Sequence, residues 1–210
     1  MARYTDAVCR LCRRDTKKLF LKGTKCNTDK CPVSKRAFAP GQHGPSKTRI
    51  KLSNYAIQLR EKQKVKHVYG VLESQFRKYF ETAEKSKGVT GKVLLQLLER
   101  RLDNIIFRMG IGKSRANARQ IVRHNHVSVN GVRVNIPSYI VDAGNVVAVT
   151  GPDKKKAKLR ENLDYTKDRT VPKWLEFNKE GLHATVIRLP EKSDIGQQIE
   201  EALIVEFYSK

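Results

Sequence analysis

The hydrophobic period changes partway along the chain, and that change most constrains the fold. Val93, Leu94, Leu97, Leu98, Leu102, Ile105 and Ile106 recur at the spacing of one broad helical stripe ending near Gly110. After a break at Gly110-Ile111-Gly112-Lys113, Ser114 is an N-cap for a second helix running to about His124, with Ala118, Ile121 and Val122 turned toward the first. From there the period falls to two: Val127, Val129, Val132 and Val134 flank Asn130-Gly131, the dipeptide that best tolerates the positive φ angles of a tight hairpin. Tyr139-Ile140-Val141 and Val146-Val147-Ala148-Val149 read as further short strands. Two helices packed on a small antiparallel sheet follow.

Upstream, Ser53 is an N-cap for a helix carrying Tyr55, Ala56, Leu59, Val68 and Tyr69 and ending at Gly70. A second helix covers Glu73 to Lys85, with Phe76, Tyr79, Phe80 and Ala83 on one face. Between residues 39 and 45, two prolines and two glycines forbid regular structure and mark a linker. Downstream, Lys154-Lys155-Lys156 after Gly151-Pro152 reads as an exposed loop. Strands are expected at Trp174–Phe177, Thr185–Arg188 and Ala202–Phe207.

Charge points to the partner. A net +22 over 210 residues calls for a polyanion. The excess is graded: +10 over residues 1–50, +5 over 51–91, +6 over 92–150 and +1 over 151–210. Polyanion contacts are therefore expected before residue 150. No helix segregates basic and apolar faces as a membrane-surface helix would, and no apolar run follows Met1-Ala2-Arg3-Tyr4, so the expectation is a cytoplasmic protein with no membrane partner.

The Ser114 helix carries the sharpest signal. Arg115, Arg119 and Arg123 stand four residues apart on one face, and no acid interrupts them. Such a row repels itself unless an anion lies close. Lys113 and the amides at the helix start favour an anion at the same end. His124 and His126, at a helix-to-strand junction, fit packing or RNA contact better than acid–base chemistry.

All four cysteines lie within the first 31 residues, spaced Cys9-x2-Cys12-x13-Cys26-x4-Cys31. Two close pairs a dozen residues apart can present four thiolates tetrahedrally, the arrangement of one structural Zn²⁺. An iron–sulfur cluster would use the same ligands. Two disulfides fit poorly in a chain with no export signal. Leu11, Leu19, Phe20, Leu21 and Phe38 are too few to close a core, and metal binding can supply the missing free energy, about 10–16 kcal/mol in small finger peptides. Arg10, Arg13, Arg14, Lys25 and Lys30 favour the thiolate forms.

The four cysteines, the Ala39-to-Pro45 loop, Leu98-Glu99-Arg100-Arg101-Leu102-Asp103-Asn104, the Ser114-to-Val122 helix, Val129-Asn130-Gly131 and Val205-Glu206-Phe207-Tyr208-Ser209 together resemble the zinc-binding, cysteine-bearing type of the bacterial small-subunit (30S) ribosomal proteins of the S-four family. The resemblance spans essentially the whole chain. It implies a structural constituent of the small subunit, not an enzyme, that binds 16S ribosomal RNA early and nucleates assembly. It also implies neighbouring small-subunit proteins as partners, and a place at the messenger RNA entrance with a role in translational accuracy. Two departures fall near the arginine row. Ala116-Asn117 stands where the family more often has an Arg-Gln pair, and Asn125 stands where glycine is expected, asparagine being the next best residue for a left-handed cap.

The expected fold is α+β: a zinc-clamped N-terminal knob (1–45), an α-helical body (46–91, with 197–210 returning to it) and an α/β domain (92–196). The last contains the S-four-type RNA-binding module, at about 98–150, with its antiparallel sheet. The expected metal ligands are Cys9, Cys12, Cys26 and Cys31. The expected RNA contacts are Arg3, Arg10, Arg13, Arg14, Lys17, Lys22, Lys35, Arg36, His43, Lys47, Arg49, Lys62, Arg101, Lys113, Arg115, Arg119, Arg123 and Arg133. The competing reading is an RNA-modifying enzyme using the same module for targeting. Neither residues 1–91 nor 151–210 offer a phosphate-binding glycine loop, an activated nucleophile or paired catalytic acids, and no small-molecule substrate is implied.

Overall fold

The computed structural model describes residues 2–45, 51–167, 169–196 and 198–209. Its contacts divide the chain into two compact units, Met1–Gly91 with Gln198–Lys210, and Lys92–Gln197.

The first unit opens with elements too short to persist alone: α1 (Cys9–Arg14), a 3₁₀ turn (Gly23–Asn27) and α2 (Pro32–Lys35). Arg13 binds this region together. It donates to the carbonyls of Phe38 and Ala39 at 3.0 and 3.2 Å and lies over the Phe38 ring. In α3 (Asn54–Tyr69) the Ser53 hydroxyl accepts the Ala56 amide at 3.3 Å, and Gly70 closes the helix at φ +63°. In α4 (Glu73–Lys85) Phe76, Phe80 and Ala83 form the buried face.

The second unit begins inside α5 (Thr90–Glu99). The apolar stripe expected as one helix is in fact broken at Arg100-Arg101, and α6 (Leu102–Arg108) starts afresh. The backbone explains it. Arg101 is extended, and the amides of Leu102 and Asp103 go to the carbonyls of Tyr139 and Pro137 at 2.9 and 3.1 Å rather than continuing the helix. Residues 139–141 correspondingly form a single bridge, Arg101 to Ile140, instead of the expected strand.

The Ser114 hydroxyl accepts the Asn117 amide at 3.2 Å and starts α7 (Arg115–Arg123). The hairpin follows as β1 (Val127–Val129) and β2 (Val132–Arg133), with Asn130 at φ +49° and Gly131 at +83°. Asn130 also accepts the Val146 amide at 2.8 Å, fixing the start of β3 (Val146–Val149). The lysines at 154–156, expected in a loop, lie in α8 (Asp153–Asp164). Its first turn carries Asp153 directly after Pro152, a favourable helix start that the lysine run obscured. After β4 (Leu175–Asn178) and β5 (His183–Val186) the sheet has order β2-β1-β3-β5-β4, every pair antiparallel. Ile106, Val122, Val127, Val147, Trp174 and Ala184 are wholly shielded in its core.

The chain then returns to the first unit as α9 (Glu201–Tyr208), packed on α3. The expectation at Ala202–Phe207 was a strand. A continuous apolar run has no period of its own, so tertiary partners decide its conformation. Here Glu206 accepts from Gln58 at 2.7 Å. The Tyr208 hydroxyl donates to Glu73 at 2.8 Å, and its ring lies 4.5 Å from that of Phe80. Among the described residues no helix is long and apolar enough to cross a membrane.

Candidate nucleic-acid interface

The arginine row of α7 is graded by depth. Arg123 is exposed, Arg115 is half-buried, and Arg119 is only 7 % accessible. The acid absent from α7 comes from α6. Asp103 accepts two bonds from the fully buried Arg101, at 3.0 and 2.6 Å, and one from Arg119 at 3.4 Å. Beside it Arg108 grips buried Glu99 through two of its three guanidinium nitrogens, Nε and Nη2, at 2.9 and 2.6 Å. Asn104 links the two pairs to the interface, donating to Glu99 at 2.7 Å and accepting from Arg115 at 2.9 Å. Three guanidiniums thus share two carboxylates, and a fourth, that of Arg115, is held by the Asn104 amide oxygen. The cluster keeps an excess of positive charge, and the exposed Arg123 on α7 adds to it.

At the head of α7 the Lys113 amide donates to the Asn117 side chain at 3.2 Å, so Asn117 serves the helix start. Ala116, the other departure from the family pattern, is exposed. Asn125 takes φ +59°, the left-handed cap conformation. Lys113, Asn117, Gln120, His124, His126 and Lys158 line a groove between α7 and α8. Burial pushes the His126 pKa down, and Lys155 and His124 add to that. Lys113 and Lys158 bring positive charge to the groove.

Other expected contacts are placed as follows. Arg3, Arg10, Arg14, Lys17, Lys22, Lys35, Arg36 and His43 are exposed on the N-terminal segment, and Arg133 is exposed on β2. Lys47 and Arg49 lie outside the described residues. Arg13 is committed to the Phe38 and Ala39 carbonyls. Lys62 is 5 % accessible, 2.7 Å from Glu73 and 4.4 Å from the Phe207 ring. Lys62 and Arg101, expected on the RNA surface, are thus occupied inside the protein. Arg108 and Arg169 beside α7 were not singled out in the sequence. Arg169 is remote from α7 in sequence, and no periodicity connects the two.

None of the four cysteines is in a disulfide, and Cys12, Cys26 and Cys31 are buried. Burial pushes the Cys12 and Cys26 thiols up. Backbone amides of Leu19 and Lys22, the latter 3.3 Å from the Cys26 sulfur, oppose this, while the neighbouring cysteines raise both thiols further. The sulfurs therefore feel one another, and the donor chemistry fits a soft dication. Among the described residues, however, no three His, Cys, Asp or Glu side chains form a ready metal-binding group.

Paired helices on an antiparallel sheet, with a row of arginines graded from buried to exposed along the second helix, define an S4-domain type of nucleic-acid-binding protein. The profile described as the S4 domain matches residues 100–147, and that described as the ribosomal protein S4/S9 N-terminal domain matches 3–99. Small ribosomal subunit protein uS4A of Symbiobacterium thermophilum is 59 % identical over all 210 residues of both chains. The uS4 protein of Acetivibrio thermocellus is 55 % identical over the same full span, and uS4A of Alkaliphilus oremlandii 59 %. The chain belongs to the uS4 family of small-subunit ribosomal proteins. These relatives match end to end and are named as ribosomal proteins, not as enzymes.

Proposed function

We propose that this protein is a structural constituent of the small ribosomal subunit in the cytoplasm that grips 16S ribosomal RNA with the outward face of α7 and with its basic N-terminal segment. The observation that carries the reading is the charge excess along α7: exposed Arg123 and half-buried Arg115 and Lys113 accompany a buried cluster in which three guanidiniums already share two carboxylates. Arg115, held by Asn104 over the Phe107 ring, and Lys113, over the Tyr165 ring, need little ordering on binding, so phosphate contact there costs less entropy. Lys62 and Arg101 serve internal pairing in this reading, while the exposed residues make the contacts. Early binding that nucleates assembly, contact with neighbouring ribosomal proteins, and a position at the messenger entrance that bears on accuracy follow from the family resemblance.

The N-terminal segment holds one Zn²⁺ through Cys9, Cys12, Cys26 and Cys31. The Cys12 and Cys26 thiols, which burial and the neighbouring cysteines push upward, need a cation to become thiolates, and a zinc ion supplies that charge and a fixed tetrahedral geometry. Elemental analysis of the purified protein should give one equivalent of zinc, lost in Cys9→Ser with unfolding confined to the N-terminal segment. A metal-free wild-type protein overturns the clamp. For the main reading, the protein should cofractionate with small ribosomal subunits in low and high salt, and its absence from those fractions refutes it.

A further inference from the structure

The loop that heads α7 accepts five side-chain hydrogen bonds from residues 162–169, at the end of α8 and in the turn after it. Asn162, near the end of α8, donates to the Ile111 carbonyl at 3.0 Å. Thr166, in the turn after α8, donates to the Gly110 carbonyl at 2.8 Å. Arg169 then reaches three carbonyls, those of Phe107 at 2.8 Å, Gly112 at 3.0 Å and Lys113 at 3.3 Å. Its guanidinium also lies 3.9 Å from the Phe107 ring centroid, and that of Arg115 lies 4.3 Å from the same ring.

Arg169 is an odd choice for a simple structural tie. Burial, with Arg115 and Arg108 nearby, lowers its pKa to about 10, so the fold places a cation where its like-charged neighbours oppose it. Two features offset that cost. A planar fork can satisfy several carbonyls at once, which an ammonium cannot do with the same geometry. A polyanion on the outer side of Arg115 would also relieve the repulsion.

We propose that Arg169, well beyond the residues of the S4 domain, is a positioning residue for RNA binding: by clamping the Phe107–Lys113 loop it sets the placement of Lys113 and Arg115 for phosphate contact. This rests on the reading of α7 as the RNA interface. Arg169 itself does not meet phosphate in this scheme; it acts through the loop carbonyls.

The test is a salt titration of ribosomal RNA binding with the full chain and purified 16S ribosomal RNA. Arg169→Gln should weaken binding about tenfold at every salt concentration, the size expected of a residue acting through a packed network. Its log–log salt slope should stay as in wild type, because no phosphate contact has been removed. Arg169→Lys keeps the charge but loses the fork and should weaken binding comparably. Thr166→Val, which removes one loop bond, should weaken it in the same sense by a few-fold. Hydrogen exchange should rise at residues 107–113 in each variant and remain unchanged in β1 and β3, which shows that the unit stays folded.

Wild-type binding by Arg169→Lys would mean that charge alone matters and overturns the clamp. A reduced salt slope in Arg169→Gln overturns it too, making Arg169 a phosphate contact. Arg123→Ala is run alongside. If it weakens binding while Arg169→Gln does not, the α7 interface stands and the clamp falls; if neither changes binding, the interface reading falls and takes the clamp with it.

Discussion

Replacing Asp103 by Asn should destabilise the α/β unit by about 3–4 kcal/mol, far beyond what an exposed ion pair contributes. Asp103 is the carboxylate between two guanidiniums, and the three side chains are 6 % (Asp103), 0 % (Arg101) and 9 % (Arg119) exposed. Asn keeps one acceptor for the Arg101 Nε but loses the second oxygen, which now receives Arg101 at 2.6 Å and Arg119 at 3.4 Å. Breaking a buried pair by removing one partner costs about 3–5 kcal/mol, since the remaining cation stays desolvated. The length of the Arg119 contact places the value in the lower half of that range. The single tryptophan, Trp174, is fully buried in the same core and reports its unfolding by fluorescence. With a urea dependence of about 2 kcal/mol per molar, the midpoint should fall by about 1.5–2 M. A fall below about 0.5 M would show that water screens the pair and would refute the burial argument. Arg119→Met, which removes a cation instead of stranding one, should cost clearly less than Asp103→Asn.

Further outcomes are expected elsewhere. Arg123→Ala should reduce the salt slope of ribosomal RNA binding by about 0.7–0.9, measured by filter binding across salt concentrations, without lowering the urea midpoint. Gly112→Ala would bring its new methyl to 2.7 Å from the Ala118 Cβ and 2.9 Å from its backbone, so loop and helix must separate, costing about 1–3 kcal/mol of stability. In the helical unit burial raises the Glu73 pKa, but hydrogen bonds from Lys62, Tyr208 and Lys66 outweigh it and bring the pKa to about 2. A folded-state pKa below the ordinary 4.5 contributes stability that is present above pH 4.5 and lost as pH falls toward 2. Circular dichroism during acid titration should show that loss in wild type and a flatter profile in Glu73→Gln.

The local framework was legible where a residue type dictates backbone geometry. Ser53 and Ser114 cap their helices, Gly70 closes one, and Asn130-Gly131 turns the hairpin, because each signal is contained within a few residues. Legibility failed where the deciding partner is distant. The Val93-to-Ile106 stripe has no internal mark of its break, which depends on carbonyls at residues 137 and 139. The apolar run at 202–205 becomes helical through α3 and Glu73. At the interface, the sequence locates the arginine row but not its depth. The Arg101-x-Asp103 pair that takes up Arg119 is visible only once α6 and α7 are packed together.

The return of α9 to the first unit has a consequence for how the chain is made. Residues 92–197 are inserted within the helical unit, so a nascent chain contains the whole α/β unit before it contains the partner that α3 needs. At about 5–20 residues per second, roughly 5–20 s separate the synthesis of α4 from that of α9. During that interval Gln58 lacks Glu206, and Glu73 and Phe80 lack Tyr208. The N-terminal half of a growing chain is therefore the part that waits, and it waits with an uncovered apolar face that chaperones or ribosomal RNA itself can occupy first.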